Sequence, residues 1–123
     1  MRSGTKHALS VCPVEVTVSV VGGSWKLTIV QKLLRGALRF GELRRAVGDV
    51  TERVLTRQLR ELEADGLVHR EVFAEVPPRV EYSLTPLGES ARPLVDLMEA
   101  WGRNWVQATG AAAEAGPQAR PLE

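Results

Sequence analysis

The chain carries a single cysteine, Cys12, in 123 residues, so an internal disulfide framework is excluded and that thiol is left to bridge a second molecule or to react. Long apolar runs are missing as well. No stretch of about 18 apolar residues could cross a bilayer, and the first ten residues (MRSGTKHALS) lack the apolar centre of a secretory signal. Both absences point to the cytoplasm. Charge of one sign is not in excess either: a net charge of +1 is too low for a general nucleic-acid coat protein, so any such affinity must come from a local patch. The two histidines, His7 and His69, fall in a predicted arm and a predicted strand with no carboxylate pair or nucleophile motif beside them, which argues against an enzyme. His7, Cys12 and Glu15 show no recognised ligand spacing, so no metal or other cofactor is expected. There are no internal repeats.

What is present is enough core for one domain, with 44% apolar and 25% charged residues, and a bias towards arginine, which supplies 13 of the 16 basic residues. The arginines cluster in the stretch Thr51 to Asp65 (TERVLTRQLRELEAD). At about 100° per residue, Leu55, Leu59 and Leu62 fall on one face of a helix and Arg53, Arg57 and Arg60 on the opposite one. Thr51 can cap the first turn, and Gly66 can take the left-handed conformation that ends a helix and returns Leu67 onto Leu62. Guanidinium forks suit phosphate oxygens and the O6/N7 edge of guanine. The competing reading is a solvated face whose arginines pair with Glu61 and Asp65.

The rest of the chain frames that helix. Residues 1–10 read as a mobile arm. In Val14 to Val21 two periods compete: alternate valines and β-branched propensity favour a strand, whereas Val14, Val18, Val21 and Trp25 also fit a helical face. Ser24 is a plausible cap for a helix from Trp25 to Arg35, apolar on two sides and stopped by Gly36. Leu38 to Phe40 suits a single strand pairing, and Phe40 to Val47 a short helix with Phe40, Leu43, Ala46 and Val47 inward and Arg44 and Arg45 outward. Short helix, compact turn at Gly48-Asp49-Val50, and longer helix with a basic face make a helix-turn-helix. Leu67 to Phe73 and Val80 to Leu84 then read as two strands around the stiff tip Val76-Pro-Pro-Arg79, a wing. Arg79 at its base is aimed at a groove or the phosphates, or is paired with Glu75 or Glu81.

Thr85-Pro86 opens a last helix in which Leu87, Ala91, Leu94, Met98, Trp101 and Trp105 keep heptad spacing, with a kink expected at Pro93. A stripe of this kind pairs with a second copy of the chain or covers its own core. Residues 109–123 read as a disordered tail.

Cys12-Pro-Val, Gly22-Gly-Ser-Trp-Lys26, Arg39-Phe-Gly-Glu-Leu43, Val54 to Leu62, Asp65-Gly-Leu67, Pro77 to Gly88 and Ala100-Trp101 together resemble the HxlR-type transcriptional regulators. The resemblance runs in order from about Cys12 to Trp105. It implies an α+β, mainly α fold: a winged helix-turn-helix with a two-stranded wing and dimerisation helices at both ends, spanning residues 11–108 with the C-terminal dimerisation helix at about 86–108. It also implies that Val14 to Val21 is a helix, although this segment is richer in valine than the family's usual pattern. The implied function is that of a bacterial regulator, a homodimer on double-stranded DNA at a pseudo-palindromic operator. On that reading Thr51, Arg53, Thr56, Arg57 and Arg60 address base edges or nearby phosphates, and Lys26, Arg39, Arg44 and Arg79 are candidates for holding the backbone. Cys12, at the first turn of the implied helix, is a candidate sensor of oxidants or electrophiles, as in relatives; its other reading is a small apolar residue buried near the dimer interface. Met98, Trp101 and Trp105 could line an effector pocket between subunits or be plain core. A winged helix turned protein-protein module, its arginines meeting an acidic partner, is the alternative function.

Overall fold

The computed structural model describes residues 1–10 and 12–111. In chain order it holds α1 (Ser3–Ala8), α2 (Pro13–Val21), α3 (Lys26–Leu33), β1 (Leu38–Arg39), α4 (Phe40–Val47), α5 (Glu52–Ala64), β2 (Val68–Phe73), β3 (Arg79–Leu84), α6 (Pro86–Glu89) and α7 (Arg92–Thr109). The chain divides into two units, Met1–Arg92 and a second that begins at Pro93.

In the first unit, α4 and α5 form the helix-turn-helix and β2–β3 the wing. The wing strands are antiparallel, in register from Val68 opposite Leu84 to Phe73 opposite Arg79. The two-residue β1 joins β3 through Leu38 opposite Tyr82 and Arg39 opposite Glu81, so the wing is part of a three-stranded sheet in the order β1-β3-β2. The core is built from Ile29, Val30 and Leu33 of α3, Leu43 and Val47 of α4, and Leu55, Leu59 and Leu62 of α5, all of them buried. Burying such side chains contributes about 1.5–3 kcal/mol each. It also fixes which face of α5 is left for solvent.

The ends of α5 follow from two residues. Thr51 Oγ1 accepts the Val54 N–H at 3.2 Å, satisfying one of the first-turn donors. At the other end Gly66 has φ 85°, its N–H donates to the Glu63 carbonyl at 3.0 Å, and the Leu67 N–H donates to the Leu62 carbonyl at 2.9 Å. That pair of bonds is the Schellman arrangement, and it brings buried Leu67 back onto buried Leu62.

Three expectations need correcting, and one open choice is decided. Residues 1–10 are not an arm: α1 forms there, with Thr5 and Ala8 buried, because Arg2 and Thr5 find partners at the far end of α5. Ser24 does not cap α3, whose first turn follows Trp25 with no side-chain cap. Val14 to Val21, open between strand and helix on its periodicity, is the helix α2, as the resemblance implied. Pro13 occupies its first turn, where no N–H is needed, and helical winding buries Val21 while turning Ser19 towards α1. The expected continuous helix from Pro86 is two helices: α6 ends at Glu89, and Pro93 lies in the first turn of α7 instead of kinking an interior. Leu87 and Ala91 therefore fall outside α7, while Leu94, Met98, Trp101 and Trp105 stay on one face of it. Thr109 is the last residue of α7, and the tail expected beyond it lies from residue 112 onward outside the described residues.

Candidate nucleic-acid interface

The outward face of α5 carries Arg53, Arg57 and Arg60, all exposed, as burial of Leu55, Leu59 and Leu62 requires. With Arg2, Glu52, Thr56, Glu61 and Ala64 they line an open cleft of about 610 Å³. Among the described residues, none of these three α5 arginines makes an ion pair.

Glu52 and Glu61 of α5, and Asp65 at its C-cap, are held by cations from other elements, whereas Glu63 has no ion pair among the described residues. Glu52 pairs with Arg44 of α4 at 3.2 Å, Glu61 with Lys26 of α3 at 3.2 Å and with Arg2 at 3.8 Å, and Asp65 with Arg2 at 2.7 Å. The reading in which Glu61 and Asp65 neutralise the arginine face is thereby corrected. Asp65 is the centre of a polar junction: it also accepts from the Arg2 backbone N–H at 3.1 Å and from Thr5 Oγ1 at 3.1 Å, while the Arg2 guanidinium donates to the Ser19 carbonyl. Burial pushes the Asp65 carboxyl up, but the Arg2 backbone, side-chain hydrogen bond and charge, with the Thr5 hydroxyl, outweigh it and hold the group below its ordinary value.

The expected phosphate contacts divide. Arg39 is exposed at the start of α4, its backbone N–H donating to Glu42 Oε1 at 2.9 Å, and its guanidinium has no ion pair among the described residues. Lys26 is a correction: its side chain is 5% exposed and its ammonium is committed to Glu61, because α3 is the centre of the core. Arg44 is a partial one, since its Nε donates to the Val50 carbonyl at 3.0 Å and so braces the turn between α4 and α5. Arg79 is a third. It stacks over the Phe73 ring at 4.1 Å and pairs with Glu75 and Glu81 at 3.2 and 3.7 Å, holding the base of the wing instead of reaching outward.

Sequence reasoning missed Arg70. It is exposed on β2 opposite Tyr82 and shares a second cleft, about 340 Å³, with Thr56, Leu59, Arg60, Glu63 and Tyr82. Strand alternation around it was the available signal. Arg2, Thr5 and Ser19 were missed too, for want of any local one.

Cys12 is exposed and free, at the position capping α2. Burial near an interface does not describe it within a single chain. His7, Cys12 and Glu15 are not gathered into a group able to hold a metal ion among the described residues. On α7, Met98, Trp101 and Trp105 are 47%, 66% and 49% exposed. No described helix is long and apolar enough to cross a membrane.

The HxlR-like helix-turn-helix family profile matches residues 20–110. The uncharacterized HTH-type transcriptional regulator YybR of Bacillus subtilis (strain 168) is 53% identical over 93 residues, which is 76% of this chain and 74% of that one. A regulator from Methanothermobacter thermautotrophicus is 51% identical over 92 residues, 75% of this chain and 70% of that one. Among solved structures, the redox regulator HypR in its oxidized form superposes with a TM-score of 0.72 at 53% identity, covering 76% of this chain and 96% of that chain. The reduced form of YodB from B. subtilis gives 0.66 at 33% identity, covering 73% and 89%. With the helix-turn-helix, wing and arginine face in place, the chain belongs to the HxlR-like helix-turn-helix family of transcriptional regulators, DNA-binding proteins rather than enzymes.

Proposed function

We propose that the protein acts as a homodimer that lays the α5 helices of its two protomers into successive major grooves, about 34 Å apart, on a pseudo-palindromic operator. Arg53, Arg57 and Arg60, with Thr56, meet base edges and adjacent phosphates, and Thr51 sits at the helix start facing the backbone. Arg39 and Arg70 hold phosphates on either side. The observation that carries this reading is that the α5 arginines stand without ion pairs while Glu52, Glu61 and Asp65 are paired from elsewhere. An acidic protein partner would be met by the same face, but the helix-turn-helix and wing around it favour a duplex.

The dimer is supported by the exposed apolar face of α7 and by Val14 and Val18 of α2, which are 69% and 54% exposed on one chain. Cys12, exposed at the α2 N-cap, is the group through which an oxidant or electrophile would act, as the likeness to a redox regulator suggests. Met98, Trp101 and Trp105 offer a small-molecule effector a site between subunits. The place of action is the cytoplasm.

Selection of bound duplexes from a random-sequence library, followed by a salt titration on the enriched and on a mixed-sequence duplex, tests this. A two-fold related consensus with a steep salt slope is expected. No enrichment, with equal affinity for both duplexes, would contradict it.

A further inference from the structure

We propose that Lys26, assisted by Arg2, is a positioning residue for DNA binding that acts through Glu61, holding its carboxylate away from Arg57 so that the guanidinium stays free for the duplex. This rests on the reading of α5 as the DNA-reading helix.

Residues four apart on a helix are neighbours, and opposite charges there attract. Arg57 and Glu61 stand four apart on α5 and line the same cleft, with Arg60 beside them. Glu61 left to its own helix would take Arg57. Instead Lys26 Nζ lies 3.2 Å from Glu61 Oε2, and Arg2 Nη1 lies 3.8 Å from Glu61 Oε1, so each carboxylate oxygen faces a cation from outside α5. The two partners differ in kind. The Lys26 side chain is 5% exposed against 30% for Glu61, and a buried ammonium that gave up its carboxylate would be left without a counter-charge. Lys26 therefore does not release Glu61 readily, whereas an exposed Arg57 has water as its alternative. Lys26 is also too deeply placed to reach a phosphate itself. Its contribution to binding is indirect: it keeps a negative charge neutralised beside the groove and a guanidinium unspent.

The test compares parent, Lys26→Met, Glu61→Gln and the double variant on one duplex enriched by the protein from a random library and on a mixed-sequence duplex, each across a salt series. Lys26→Met should weaken the enriched duplex by roughly threefold to tenfold and lower the salt slope by about one, since one local charge is uncovered. Glu61→Gln alone, whose amide oxygen can still accept from the Lys26 ammonium, should bind at least as tightly as parent. The double variant should return to within about twofold of parent. The Arg57 Nε–H resonance should shift in Lys26→Met and return in the double variant. Thermal midpoints are recorded alongside, and Lys26→Gln serves the same comparison where methionine unsettles the fold. A double variant as weak as Lys26→Met, or a Glu61→Gln protein that loses affinity, overturns the proposal, because a purely structural lysine would not be rescued by removing a carboxylate. If Arg57→Ala weakens binding while the double variant stays weak, the clamp alone falls. If Arg57→Ala leaves affinity and preference untouched, the reading of α5 falls, and this proposal with it.

Discussion

Asp65, with 1% of its side chain exposed, receives Arg2 Nε at 2.8 Å and Arg2 Nη2 at 2.7 Å, across 63 residues of chain. The pair fastens α1 to the end of α5, and through the Arg2 bond to the Ser19 carbonyl it reaches α2, where Thr5 also meets the Ser19 hydroxyl. Both guanidinium nitrogens converge on Oδ2 while Oδ1 takes the Arg2 backbone N–H, and a charge-assisted contact of this depth stabilises only while the carboxyl is ionised.

Acid stability should show it. The folded-state pKa of Asp65 lies below its ordinary value, so its stabilisation is complete above the unfolded value of about 4 and is lost as pH falls from there through the folded-state value. Asp65→Asn should be less stable than parent at neutral pH, and the gap should close on the acid side of about pH 4. Urea midpoints measured from pH 2.5 to pH 7 read this directly; a gap that widened towards acid would contradict it.

Gly66 takes φ 85°, and a Cβ there would meet only Leu87 Cδ2 at an ordinary 3.7 Å. The cost of Gly66→Ala is therefore conformational, about 1–2 kcal/mol, without a clash. Denaturant unfolding should show that loss with an unchanged m-value. A neutral substitution would mean that the Leu67-to-Leu62 return does not depend on the left-handed glycine.

Trp101 and Trp105 are large, exposed and on one face of α7. Trp101→Ala with Trp105→Ala should shift sedimentation equilibrium from dimer towards monomer and weaken operator binding in step. Unchanged dimerisation would assign the stripe another partner.

Cys12 is the chain's one thiol and is exposed. Treatment with diamide should release parent protein from its duplex and leave Cys12→Ser bound. Equal release of both proteins would remove Cys12 from the response.

How much of this could be read beforehand depended on range in sequence. The leucine and arginine faces of α5, the Thr51 cap and the Gly66 stop are each decided within one or two helical turns, and they stand in the structure as the residues imply. Val14 to Val21 was ambiguous because β-branched propensity opposes a helix there, and the family likeness, not the local pattern, pointed the right way. The arm was misread because Arg2 meets a partner 63 residues away. Lys26 looks exposed after a glycine pair until the burial of α3 is known; for Arg79 the pairing with Glu75 and Glu81 is legible from their nearness in sequence, and only the stacking on Phe73 waits for the wing to close.

The measurement closest to the central claim is the ratio of affinities of parent and Arg57→Ala for an enriched duplex over a mixed-sequence one. An unpaired α5 guanidinium that reads a base edge predicts a ratio that falls roughly tenfold or more in the variant, with the loss concentrated on the enriched sequence. A ratio that stays constant while both affinities drop together, or that does not change at all, would contradict it.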